Sequence, residues 1–176
     1  MGGRSPAEAD LAVPGSGIVA GEQSRLWPIV LLRSVLASCI FCEILRNRQG
    51  ASQWIAESDR AFALLDIHPL QRGHTLVIPK FHAAEFAGLP SEYMAATFDL
   101  ARDVAARLRR VLGTTGENIL AASGPGSEQA VPHFHLHVVP RHENDDLRWN
   151  DWWESKVVSV PDGEQVALAR DLRGRG

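Results

Sequence analysis

Between Pro90 and Gly113 the apolar residues Met94, Phe98, Ala101, Ala105, Leu108 and Leu112 recur at spacings of three and four, the repeat of one helix face. Proline suits the first helical position and glycine the residue after the last turn, so the pattern predicts one long amphipathic helix with both ends marked. Elsewhere the apolar runs are short. Residues 53–58 and Ala61–Leu65 flank Asp59 and predict two antiparallel strands joined by a tight turn. Residues 75–78 predict a third strand, stopped by Pro79. After the helix, residues 118–122 read as a strand, 123–131 as a glycine-containing loop and 133–139 as a last strand stopped by Pro140. Strands on both sides of a single long helix predict an α+β domain, an antiparallel meander sheet with the helix packed on one face.

The last strand changes the picture from fold to chemistry. In His133-Phe134-His135-Leu136-His137-Val138-Val139 the period is two, so three imidazoles share one face and Phe134, Leu136 and Val138 the other. The apolar row is expected under the helix and the histidine row at an open surface or cleft. Packing explains three of the chain's seven histidines poorly, because each buried imidazole needs a hydrogen-bond partner. Two chemistries fit the row. Alternate histidines can hold one catalytic metal, as in a metallohydrolase. Alternatively, a neutral imidazole attacks phosphorus while its neighbours donate hydrogen bonds to the phosphoryl oxygens and leaving group. The preceding Gly124-Pro125-Gly126-Ser127-Glu128-Gln129 offers backbone N–H donors and an amide, which favours an anion over an exposed metal.

These segments resemble the histidine triad family of nucleotide hydrolases and transferases. The resemblance rests on residues 133–139 followed by Pro140-Arg141, and on three upstream blocks in matching order. Those are Cys39-Ile40-Phe41-Cys42, Leu65-Asp66-Ile67-His68-Pro69, and the run from Gly73 to His82. It spans about residues 39–141 and implies a homodimer in which two sheets join into one. It also implies hydrolysis or transfer of a nucleoside monophosphoryl group through a covalent nucleotidyl adduct on His135. His137 then contacts the phosphate, Gln129 belongs to the loop that holds it, and His74 supports the triad from behind. Asp66 matches a carboxylate that binds the ribose hydroxyls, while Phe41, Ile44, Leu64 and Ile67 match apolar positions around the base. The cysteine pair resembles the zinc-bearing branch, in which Cys39, Cys42, His82 and His133 are the four ligands. Two thiolates and two imidazoles fill a tetrahedral shell with no open position, so such a zinc is structural. Three positions depart from the family. Glu128 stands where glycine is usual, and Ala122 and Ala130 replace an amide and a hydroxyl. They motivate an alternative: a catalytically weak nucleotide-binding regulatory or scaffold protein, or a specialised biosynthetic enzyme on the same scaffold.

Composition bounds what remains. A chain of 176 residues, 45% hydrophobic, suits one domain with its own core. Residues 1–24, rich in Gly, Ala, Ser and Pro, are expected to be a disordered extension. Residues 25–38 are expected to add a helical segment, 39–146 to form the domain, and 147–176 a Trp-rich tail with a short helix. Trp149, Trp152 and Trp153 either close the core or dimer seam or form a specificity lid. A net charge of -3 supplies no basic field for nucleic acid, and the run from Arg107 to Arg110 reads as a solvated helix face. The longest apolar stretch, from Trp27 to Leu36, is broken by Pro28 and Arg33 and is about half of what a spanning helix needs. A cytoplasmic protein acting on a small nucleotide, with no nucleic-acid or membrane partner, is the expectation. On composition alone, two cysteines three positions apart in that compartment mean metal, redox chemistry or coincidence.

Overall fold

Alternating side chains in two central strands divide the molecule into two packed layers. The computed structural model describes residues 39–50 and 53–174, so the expected extension and extra helical segment before Cys39 lie outside the described residues. The elements are α1 (Ile40–Asn47), β1 (Trp54–Glu57), β2 (Ala61–Leu65), β3 (Thr75–Pro79), α2 (Ser91–Leu112), β4 (Gly116–Leu120), β5 (Leu136–Arg141), α3 (Trp149–Glu154) and α4 (Asp162–Arg173). They form the expected α+β fold. The sheet order is β1-β2-β3-β5-β4 with every neighbouring pair antiparallel. Three meandering strands are followed by α2, which carries the chain to the far edge for β4; β5 then returns into the gap beside β3.

On one face Ala61, Ala63, Val77, Leu136 and Val138 meet α2. The helix presents Leu100, Ala101, Val104, Ala105 and Leu108, and small residues on both sides let it approach the sheet closely. Full burial of each Val or Leu contributes roughly 1.5–3 kcal/mol. Phe98, expected in this stripe, is 46% exposed. The buried stripe is centred on Leu100 and Val104 instead, which turns Phe98 to its edge. Pro90 caps the helix rather than opening it, and Gly113 ends it in the left-handed conformation with φ 67°.

The opposite face is covered as well. Phe62, Leu64, Leu76 and Ile78 pack against Phe41 and Cys42 of α1, with Ile44 and Leu45 alongside. Hence two of the three histidines are withdrawn from solvent, His133 at 1% and His135 at 5% exposed, while the His137 side chain keeps 28%. A helix of eight residues capped by a cysteine, with no side-chain hydrogen bond at that cap, has no polar cap to announce it.

The first three strands lie within one residue of expectation, whereas β4 and β5 are displaced by two or three. Residue Pro140 lies inside β5 opposite Glu117, where pairing with β3 has already ended at Val138. Main-chain freedom matters most at Gly73, whose φ is 94° and where a Cβ would sit 2.5 Å from Leu112 Cδ1. Glycine there lets the turn before β3 tuck under the end of α2. At the C-terminal end Trp152 and Trp153 are largely exposed, so these rings do not close the core. No helix among the described residues is long and apolar enough to cross a membrane.

Candidate active site and metal corner

The three histidines of the alternating row face three different partners. A backbone hydrogen bond from Phe134 N to Ala83 O, 2.7 Å, stitches the entry of β5 to the loop leaving β3. Within this stitch His82 and His133 approach to 3.2 Å between their Nδ1 atoms. Helix α1 brings Cys39, its capping residue, and Cys42 to the same corner. Cys39 Sγ lies 3.4 Å and Cys42 Sγ 3.6 Å from His133 Nδ1, and Cys42 Sγ is 3.4 Å from His82 Nδ1. His133 Nε2 donates to Pro79 O at 2.9 Å, which leaves the Nδ1 lone pair turned toward the thiols. Four donor atoms within 4.8 Å of one another, two sulfur and two nitrogen, fit a closed tetrahedral metal shell. Burial, then the neighbouring Cys39, push the Cys42 thiol up to about 12. A divalent cation is the counter-charge that would reverse this.

His135 is oriented by the same segment. Its Nδ1 is 2.8 Å from the carbonyl of His133, and a carbonyl only accepts, so the proton sits on Nδ1 and Nε2 keeps a lone pair. Burial lowers its pKa below the ordinary histidine value, although the same hydrogen bond and Asp66 oppose the shift. The imidazole is therefore neutral at neutral pH, as a nucleophile requires. Phe41 stands edge-on to both rings, with centroids 5.8 Å from His133 and 5.1 Å from His135.

His137 belongs to a second chain of contacts. The backbone N–H of Leu70 donates to His74 Nδ1 at 3.2 Å, so His74 carries its proton on Nε2. That proton points at His137 Nδ1, 3.0 Å away, and His137 in turn carries its own on Nε2, the nitrogen turned away from His74. Burial first, then His135 and His74, push the His137 pKa down to about 4. Asp66 accepts from His68 N at 2.8 Å, and its other oxygen lies 3.5 Å from His74 Nδ1 and 4.0 Å from His137 Nδ1. Asp66, His74 and His137 are near enough to hold a cation. The hydrogen bonds favour a proton relay instead, since Leu70 N–H and His74 Nε2–H already occupy the facing lone pairs. With the three imidazoles directed to three places, they do not converge on one metal, and the metallohydrolase reading loses its site.

These contacts locate the chain among known proteins. The HIT domain model matches residues 47–144, more than half of the 176. The chain belongs to the HIT domain family. It is 41% identical over 111 residues to an uncharacterized HIT-like protein of Mycoplasma genitalium, covering 63% of this chain and 78% of that one. An adenosine 5'-monophosphoramidase of Schizosaccharomyces pombe is 33% identical over 134 residues, covering 74% of this chain and 96% of its own. Among solved structures, a Zn-bound histidine triad family protein from Mycobacterium smegmatis is 34% identical with TM-score 0.61. That likeness covers 80% of this chain and 99% of the other.

Other expected site residues of this HIT domain are placed unevenly. Phe41 and Leu64 are buried, Ile44 is half-buried against them, and Ile67 is 68% exposed at the turn after β2. Gln129 does not present a free amide: its Oε1 accepts from Gly124 N at 2.9 Å and its Nε2 donates to Ala84 O at 2.7 Å. It clamps the loop across its base. Glu128 has φ 59°, a conformation that favours glycine, and its side chain is exposed. The sequence reading missed the Leu70 N–H and the carbonyls of Pro79, His133 and Ala84. Main-chain groups leave no side-chain pattern; only the Pro69 to Gly73 turn hinted that the backbone there is specially placed.

Proposed function

We propose that the protein hydrolyses or transfers a nucleoside monophosphoryl group, with His135 Nε2 as the nucleophile. The observation that carries this reading is the His133 carbonyl on His135 Nδ1, which fixes a buried, neutral imidazole with its lone pair on Nε2. Attack would form a bond from Nε2 to phosphorus while the bond from phosphorus to the leaving group breaks. Water or another acceptor then attacks phosphorus and releases His135. His137, with its proton on Nε2, donates a hydrogen bond to a phosphoryl oxygen or the leaving group. Asp66 serves the ribose hydroxyls, Phe41, Ile44, Leu64 and Ile67 surround the base, and Gln129 shapes the phosphate loop. The S. pombe relative supports an amine as the leaving group. The exposed carboxylate of Glu128, with Ala122 and Ala130, supports the second reading, a nucleotide binder with weak turnover.

With adenosine 5'-phosphoramidate as substrate, His135→Ala should lower turnover roughly 10³-fold or more while AMP affinity stays within about tenfold. Turnover at the wild-type rate in this variant would end the nucleophile assignment. Wild-type protein that binds AMP yet turns over no nucleotide would instead select the binder.

At the metal corner we read Cys39, Cys42, His82 and His133 as ligands of a structural zinc, a reading the Zn-bound relative supports. Bound there, zinc would tie α1 to the entry of β5 and compensate the buried thiolates. Metal analysis should find about one zinc per chain. Cys42→Ser should abolish that zinc and lower the melting temperature, whereas a protein purified without metal and with freely titrating thiols would refute the site.

Phe98 and Ile119, exposed with small Ala101, Ala105 and Ala106 between them, line a groove of about 470 Å³ along α2 and the β4 edge. We read it as the seam of a homodimer that continues the sheet. Sedimentation at micromolar concentration should give a dimer, and Ile119→Glu a monomer; a monomeric wild type contradicts this.

A further inference from the structure

The Trp-rich segment after β5 has no part in the chemistry above, yet its contacts lead back to it. Its root is fixed by Arg141 at the end of β5. The guanidinium donates to both carboxylate oxygens of Asp145, at 2.7 and 2.5 Å, and to Leu147 O. Asp145 also accepts from His142 N and Leu147 N, so the bend that presents Asp146 is closed by four hydrogen bonds to one carboxylate and one to a carbonyl. Asp146 Oδ1 then accepts from Gln71 Nε2 at 3.1 Å, a link between residues 75 apart in sequence. Beside it Leu70 faces Leu147, Trp149 and Trp152 across an open apolar cleft of about 270 Å³. Leu70 is the residue whose N–H sets the proton position on His74, and Gln71 O accepts from His74 N at 2.9 Å.

These contacts close a circuit. It runs from His137 along β5 to Arg141, through Asp145 and Asp146 to Gln71 and Leu70, then through His74 back to His137. We propose that residues 145–152 are a positioning element: by holding the Leu70–Gln71 turn they keep the Leu70 N–H on His74 Nδ1, and thereby keep the His137 proton on Nε2. Neutral imidazole carries one proton on either nitrogen, and the two forms differ little in free energy unless a neighbour selects one. Leu70 N–H is a donor in every state, so while it stays in place His74 cannot protonate Nδ1 without losing that bond. Were the turn to drift, both rings could exchange their proton positions, and His137 would present a lone pair where the phosphoryl group needs a donor. Trp149 and Trp152 line the cleft beside this turn while Leu70 stays half exposed, so the hydrogen bond from Gln71 to Asp146 is the direct link that holds it.

The inference rests on the nucleotide-transfer reading for its kinetic consequence but not for its spectroscopic one. Full-length protein with ¹⁵N-labelled histidine rings reports the protonated nitrogen of His74 and His137 directly. Wild type and Asp146→Asn, which keeps the acceptor oxygen, should each show a single His137 form protonated at Nε2. Gln71→Ala and Asp146→Ala should show both forms. They should also lose about tenfold in kcat for adenosine 5'-phosphoramidate with KM within about twofold, at unchanged zinc content and melting temperature. Alanine variants that keep one tautomer and wild-type kcat would overturn the proposal, as would Asp146→Asn behaving like Asp146→Ala. If wild type turns over no nucleotide, the activity reading fails, and the ring spectra of the same four proteins still decide the brace.

Discussion

The backbone hydrogen bond between Phe134 and Ala83 holds two unlike centres in one place. It joins the loop that follows β3 to the stretch that enters β5, and so brings His82 beside His133. His133 then serves both sides. Its ring turns Nδ1 to the cysteines and Nε2 to Pro79, while its carbonyl takes the Nδ1 proton of His135. The four-donor corner and the oriented imidazole of His135 thus share one residue, through different atoms. Movement of that residue would disturb both, so on the proposed function a closed metal shell would bear on catalysis without contacting substrate.

Much of this arrangement was legible in the sequence because it depends on side-chain period. The alternation through Phe134, Leu136 and Val138 does send three apolar chains under α2 and three imidazoles the other way. The helix from Ser91 to Leu112 was bounded by Pro90 and Gly113, and the structure ends it at those marks. Cys39, Cys42, His82 and His133 meet although they are spread over three separate blocks of chain. What stayed hidden has a common cause. Helix α1 is too short for a periodic signal, so the burial of His133 and His135 could not be read. Phe98 reads as core by spacing alone, and only the packing of Leu100 and Val104 shows where the stripe is centred. Gln129 was expected near phosphate from its place in the loop, whereas two backbone groups, Gly124 N of the loop and Ala84 O after β3, take both ends of its amide.

Proton placement, more than charge, distinguishes the three histidines. All three lose affinity for a second proton mainly because burial removes water from around them. Their difference comes from backbone partners that can play only one role: Pro79 O and His133 O accept, and Leu70 N–H donates. Residue by residue, these leave His133 with a lone pair on Nδ1, His135 with a lone pair on Nε2, and His137 with a proton on Nε2. On the proposed function, one imidazole repeated three times would supply a ligand, a nucleophile and a donor.

The central claim is that His135 Nε2 makes a covalent bond to phosphorus, and trapping the adduct tests it most directly. Wild-type protein mixed with adenosine 5'-phosphoramidate would be quenched in alkali within milliseconds, because a phosphorylated imidazole is labile in acid, and its peptides examined by mass spectrometry. The account predicts a nucleotidyl increment on the peptide containing His133, His135 and His137, localised to His135, with amine released before AMP. Amine and AMP released together, with no increment on that peptide at any time, would contradict it.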